Sequence, residues 1–303
     1  MLRIRKIIAF MLAALICGIG CASAECVSFT DRLGRDISVP MPLRTAAASA
    51  SLAECWLLAG GEICAVTQDA RERGLPVADA ADLGSLKNPS LEVLLSVRPD
   101  LVLLSSTLSG HLAMSETLDK AGIAYAFFDT ESFADYLELM DIFTDLTGRK
   151  DLYETNALRI ADEIDRAKDN FRADGATVLL LRSSSVKIKA LDSETMVGSM
   201  LKEFGCVNIA DSDLGILSDL SLEAIVKNDP EYIFITCMGD VDEAAAQIES
   251  VLASNPVWKK LQAVKNGRCF YLEKELFHYK PNARWGESYE KLAELLAQGR
   301  EDQ

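Results

Sequence analysis

Ser90-Leu91-Glu92, followed by Pro99-Asp100-Leu101-Val102-Leu103, returns 131 positions later (90 to 221) as Ser221-Leu222-Glu223, followed by Pro230-Glu231-Tyr232-Ile233-Phe234. In both copies a serine opens an apolar helix and a glutamate stands in its first turn, where exposed amides and the helix dipole favour a carboxylate. A Pro-acid pair then ends the helix before an apolar strand. Capping chemistry alone explains either copy taken singly. Two copies at one spacing point to a duplicated α/β unit that displays a glutamate at corresponding points of each half.

Between the copies lies one long stretch with helical spacing, residues 151–172. Ala157, Ile160, Ala161, Ile164, Ala167 and Phe171 fall on one face, and Arg159, Asp162, Glu163, Arg166 and Asp169 on the other. It reads either as an ordinary crossover helix or as a rigid strut between two lobes. Short apolar runs at 63–67, 101–105, 124–128, 177–181, 232–236 and 269–272 read as strands separated by helical segments. That alternation predicts an α/β fold with mainly parallel sheets whose strands are buried on both faces.

The composition fits a globular chain of 303 residues, 49% apolar and 25% charged. Thirty-one basic against 46 acidic residues give a net charge of -15, which repels phosphate backbones and excludes nucleic-acid binding by bulk electrostatics. Two histidines exclude a three-histidine metal site. No G-x-S-x-G, H-E-x-x-H or G-x-x-x-x-G-K-[ST] motif is present, and no G-x-G-x-x-G follows the first strand, so no enzyme activity is expected. A chance pair of carboxylates keeps an exported hydrolase as an alternative.

Residues 1–24 have the layout of an export signal: Arg3, Arg5 and Lys6, an apolar run at 7–19, and the small-x-small site Ala22-Ser23-Ala24. The run is shorter than the ~20 residues of a membrane span. Cleavage is expected after Ala24; the alternative is a lipoprotein signal ending before Cys21, which would then carry the lipid anchor. Either route places the mature chain outside the cytoplasm. Losing the signal removes three bases and no acids, so the mature chain is more acidic still. Its six cysteines contain no C-x-x-C pair and no metal spacing, leaving buried thiols or disulfides as the two readings.

The ordered set of motifs resembles the substrate-binding proteins of ABC importers for ferric siderophores, haem or cobalamin. It comprises Thr30-Asp31 through Val39-Pro40, Ser51-Leu52-Ala53-Glu54, Leu58-Ala59-Gly60-Gly61 and the two Ser-Leu-Glu units. Further on come Gly205-Cys206-Val207-Asn208-Ile209-Ala210, Asn255-Pro256-Val257-Trp258, Val264-Lys265-Asn266-Gly267-Arg268 and Lys280-Pro281-Asn282-Ala283-Arg284-Trp285-Gly286. The resemblance spans the mature chain. It implies an N-terminal lobe at 25–150, an inter-lobe helix at 151–172 and a C-terminal lobe at 173–303, with the ligand cleft between the lobes.

The resemblance also implies site residues. Glu92 and Glu223 would dock onto arginines of an ABC permease dimer, since carboxylate and guanidinium form a directional pair. Ligands of open parallel sheets lie outside the carboxyl ends of the strands, which points to Ser106 and Arg182. The segment holding His278, Tyr279, Lys280 and Arg284 supplies further ligand contacts, and Trp56 is either an aromatic wall or a core residue. Arg182, Lys280 and Arg284 suggest a ligand bearing negative charge. The cargo implied is an iron chelate, haem or corrinoid bound by a monomer with no intrinsic cofactor or metal. A zinc or manganese importer protein of related architecture is the alternative within the binding class, but such sites use several histidines.

Overall fold

The computed structural model describes residues 26–41 and 43–301. The expected export signal and Cys21 lie outside the described residues. A hairpin of β1 (Cys26–Thr30) and β2 (Asp36–Pro40) opens the chain. Five strands follow: β3 (Thr45–Ala47), β4 (Ile63–Val66), β5 (Ala81–Asp82), β6 (Leu101–Ser105) and β7 (Ala124–Phe128). They pair in parallel in the order β5-β4-β3-β6-β7. A second sheet holds β8 (Thr177–Ser183), β9 (Ile188–Leu191), β10 (Val207–Asn208), β11 (Tyr232–Cys237) and β12 (Cys269–Leu272). Its parallel path is β10-β8-β11-β12, with β9 antiparallel to β8.

Between the sheets, helix Phe133–Thr147 ends on Gly148, whose φ of 67° is a conformation glycine adopts without strain. Helical backbone resumes over residues 150–170 as Lys150–Tyr153, a π-helical turn Glu154–Leu158, and Arg159–Asn170. The expected bounds of 151–172 miss by one and two residues, the usual uncertainty of a helix end. Ala157, Ile160, Ile164 and Ala167 are buried as the spacing predicts, while Ala161 and Phe171 are only partly covered. That face, at roughly 1.5–3 kcal/mol per fully buried large aliphatic side chain, outweighs surface pairs such as Arg159–Glu163 at 2.5 Å, worth ~0–1 kcal/mol when exposed.

Strand alternation sorts the core. Val102 and Leu104 of β6 pack into a cluster private to the first half, and Leu179 and Leu181 of β8 into one private to the second. Leu101, Leu103, Val178 and Leu180 point the other way, into a shared core with Ile160, Ile164 and the C-terminal helix Trp285–Glu301. Both sheets therefore rest on the same pair of helices. At Gly286 those helices pack tightly: a Cβ there would lie 2.9 Å from Glu163 Cβ.

The sequence duplication is a structural one. Ser90 Oγ accepts from Val93 N and Ser221 Oγ from Ala224 N, both at 3.3 Å. The two helices, Leu91–Val97 and Leu222–Asn228, end on left-handed residues at matching positions, Arg98 (φ 45°) and Asp229 (φ 39°). β3 was not legible as a strand, because Thr45-Ala46-Ala47 lacks bulky β-branched residues other than the threonine. It nevertheless sits at the centre of its sheet, with all three residues fully buried.

Candidate functional site

A cleft of about 780 Å³ opens beyond the carboxyl ends of the first sheet, where open parallel sheets place their ligands. Ser49 and Ser51 follow β3, Asp69 follows β4, Ser105 and Thr107 close β6, and Asp129 to Glu131 follow β7. The second half faces them with a single segment after β12, running from Glu275 to Arg284.

Helix Ala50–Leu58 builds one wall. Ser49 Oγ caps it by accepting from Leu52 N at 3.3 Å, and Asp69 Oδ2 accepts from Ala50 N at 3.0 Å, a carboxylate set at a helix N-terminus. Ser51 and Glu54, three residues apart, share the face turned to the cleft, as helical spacing requires. Trp56 lies on another face. It is 1% exposed, donates from Nε1 to Glu62 O at 2.9 Å, and meets Phe143 edge-on with ring centroids 5.2 Å apart. Trp56 therefore packs in the core and does not line the cleft.

The two halves meet through Asn282, a fully buried residue with φ of 51°. Its Nδ2 donates to Glu54 Oε2 at 2.6 Å and Ser51 O at 3.4 Å, while its Oδ1 accepts from Ser51 Oγ at 3.1 Å. Burial raises the Glu54 carboxyl above its ordinary value, opposed by the Asn282 hydrogen bond and by Arg73 and Arg284. Asn282 and Glu54 stand in the motifs that carry the resemblance, but the sequence reading assigned neither a role in the site. The available signal was an asparagine, the residue that best tolerates a left-handed backbone after glycine, inside the flagged loop.

His278, Tyr279, Lys280 and Arg284 all line the cleft. His278 is pushed down to about 4, first by burial and then by the cations Arg182, Lys274, Arg73 and Lys280, so the imidazole is neutral at pH 7. Its Nδ1 is buried with no hydrogen-bond partner among the described residues. The Arg73 guanidinium sits 4.2 Å over the Tyr279 ring. Lys280 Nζ crosses the cleft to Glu131 Oε1 at 2.6 Å, and Arg284 forms a two-pronged pair with Glu287 at 2.6 and 2.8 Å.

Of the three cations named from the sequence, Lys280 and Arg284 reach the cleft and Arg182 does not line it. Lys280 and Arg284 are neutralised by carboxylates. Arg182 is near enough to act on His278 but is not part of the cleft lining, and its Nε is buried without a partner among the described residues. Ser106 also stands back from the lining, its hydroxyl donating to Asp129, which does line it. His111, the other histidine, is structural: Nδ1 accepts from Ser105 N at 2.9 Å and Nε2 contacts Leu86 O at 2.7 Å. No group of three or more His, Cys, Asp or Glu able to hold a metal ion occurs among the described residues. No helix there is long and apolar enough to cross a membrane. Glu92 and Glu223 are exposed on their capped helices, away from the cleft.

The chain resembles known proteins throughout this architecture. It is 25% identical over 207 residues to the putative ABC transporter substrate-binding lipoprotein YhfQ of Bacillus subtilis, covering 64% of this chain and 62% of that one. It is 26% identical over 203 residues to the Fe(3+)-citrate-binding protein YfmC of the same organism, covering 65% and 61%. The match thus spans about three-fifths of the length of these curated relatives. The structure of Staphylococcus aureus IsdE complexed with heme superposes with a TM-score of 0.69 at 17% identity, over 84% of this chain and 99% of that one. The sequence model of the periplasmic binding protein family matches residues 46–276, and the chain belongs to that family.

Proposed function

We propose that this chain is an extracytoplasmic solute-binding protein that captures an iron chelate, haem or a cobalamin-like corrinoid and delivers it to an ABC permease. The observation that carries the reading is the cleft of about 780 Å³ walled by both halves. That size suits an entire small molecule, since such sites run to ~300–1,000 Å³. A bare divalent ion instead needs several donors converging at bonding distance. The ferric-citrate-binding relative and the haem-complexed neighbour support a metal already wrapped in an organic ligand. The role is binding and delivery without chemistry, and the exposed Glu92 and Glu223 are the proposed contacts with the permease.

The test is the absorption spectrum of the protein purified from its native host under non-denaturing conditions. Haem, ferric hydroxamate, ferric catecholate and corrinoid have distinct visible bands, and one of them is expected at one equivalent per chain. A colourless protein that stays colourless after incubation with each ligand class would contradict the reading.

A further inference from the structure

Arg268, the residue before β12, is a buried cation whose guanidinium has no polar partner. The residue is 3% exposed, and its guanidinium makes no hydrogen bond and no ion pair among the described residues. Its contact is a ring face: the guanidinium carbon lies 5.3 Å from the centre of the Tyr232 ring, whose hydroxyl is engaged with Leu296 O at 3.0 Å. A guanidinium taken out of water in this way calls for an anion, because a ring face offsets only part of the desolvation.

The exposed edge of Arg268 opens onto a hollow of about 410 Å³ that is separate from the cleft. Its lining, Ala173 to Ala176 with Glu231, Tyr232 and Arg268, sits at or just before Thr177, Tyr232 and Cys269, the first residues of β8, β11 and β12. The hollow therefore lies beyond the amino ends of the second sheet, whereas the cleft takes the segment that follows the carboxyl end of β12. Two carboxylates share the lining without pairing with Arg268. Glu231 Oε1 is turned to the start of β8 and accepts from Thr177 N at 3.0 Å, and Asp174 stands beside Gly175 in a left-handed turn, with φ of 52° and 85°.

We propose that this hollow is a second ligand site, for a small hydroxylated monocarboxylate whose carboxylate engages Arg268. The guanidinium fork matches two carboxylate oxygens, and the pair supplies the counter-charge that the arginine lacks. Asp174 and Glu231 limit the ligand to one negative charge, since a second carboxylate would meet like charge in the same hollow. Their oxygens accept from hydroxyls, while Ala173, Gly175 and Ala176 offer no large apolar surface to a hydrocarbon body. The site stands apart from the transport reading, being at the opposite ends of the strands from the cleft.

The test is equilibrium dialysis of the full chain at low ionic strength against three radiolabelled probes that share one six-carbon body. These are D-glucose, D-gluconate and D-glucarate, with no, one and two carboxylates. Gluconate is expected to bind about tenfold tighter than either of the others. Arg268→Gln is expected to lose about that advantage, and Glu231→Gln, whose amide oxygen keeps the bond from Thr177 N, to narrow the gap between glucarate and gluconate. Gluconate bound equally well by folded Arg268→Gln overturns the assignment. So does glucose or glucarate binding the parent chain as tightly as gluconate, and so does a parent chain that binds no gluconate. If Arg268→Gln does not fold, the order of the three probes in the parent chain and the shift in Glu231→Gln decide the matter.

Discussion

Asn282 Nδ2 lies 2.6 Å from Glu54 Oε2, so one buried amide ties the loop of the second half to the first helix of the first half, 228 residues away in sequence. The tie stands at the inner edge of the cleft, and Lys280–Glu131 forms a second, more exposed link across it. Together with the shared core beneath both sheets, these contacts join the two walls of the cleft.

Replacing Asn282 by alanine removes the bonds to Glu54 and Ser51 and places a residue with a Cβ at a left-handed φ that asparagine tolerates better. It also leaves the Glu54 carboxyl buried without its donor. A loss of ~2–4 kcal/mol in folding stability is expected, measured by urea unfolding. A loss within error of zero would mean that the amide does not hold the halves.

Gly286→Ala tests the contact between the bridging and C-terminal helices. The added methyl meets Glu163 Cβ at 2.9 Å, and because a Cβ is fixed to its backbone, the helices themselves have to separate. Destabilisation of ~1–3 kcal/mol is expected despite alanine's better helix propensity, and thermal unfolding reads it directly. A more stable variant would show that propensity wins and that the contact is loose.

His278 makes stability depend on pH in a defined direction. Its folded value of about 4 lies below the ordinary 6.5, so between those limits the unfolded chain binds the extra proton. The stabilisation from neutral His278 is complete above pH 6.5 and is lost as pH falls toward 4. His111, also lowered by burial, adds in the same sense, because protonating Nδ1 breaks its bond from Ser105 N. In His278→Gln the urea midpoint is expected to change less between pH 7 and pH 4.5 than in the parent chain. An unchanged pH dependence would contradict the assignment.

Glu92→Arg and Glu223→Arg reverse charge at the two corresponding surface positions. Both side chains are exposed and lie outside the cleft lining, so ligand affinity is expected to stay unchanged while uptake by cells carrying the cognate permease falls. Loss of ligand affinity in both variants would remove these residues from a docking role.

The duplicated Ser-Leu-Glu unit was readable because capping and helix termination are local, and its extension to the left-handed Arg98 and Asp229 follows the same 131-residue offset. Strands 101–105 and 124–128 were legible to the residue, since buried parallel strands are continuous apolar runs; 269–272 was equally legible although it lies at the sheet edge with Tyr271 exposed. Thr45-Ala46-Ala47 was not, because its smallness serves packing that only the assembled sheet reveals. The site was less legible. The loop from His278 to Arg284 was found through its density of functional groups, but which cations remain unpaired depends on partners. The Arg284–Glu287 pair lies three residues apart and was open to notice, whereas Lys280–Glu131 and Asn282–Glu54 span distances that sequence spacing does not report. Trp56 was ambiguous for a related reason, since the helix carries both a cleft face and a core face.

The most direct test of the account is native mass spectrometry of the mature chain, purified from its own host and sprayed from volatile buffer. A single population one ligand heavier than the polypeptide is expected, with the added mass equal to a metal together with an organic chelate, haem or corrinoid. An added mass of a bare divalent ion, or no added mass after exposure to the full range of iron chelates, haem and corrinoids, would contradict it.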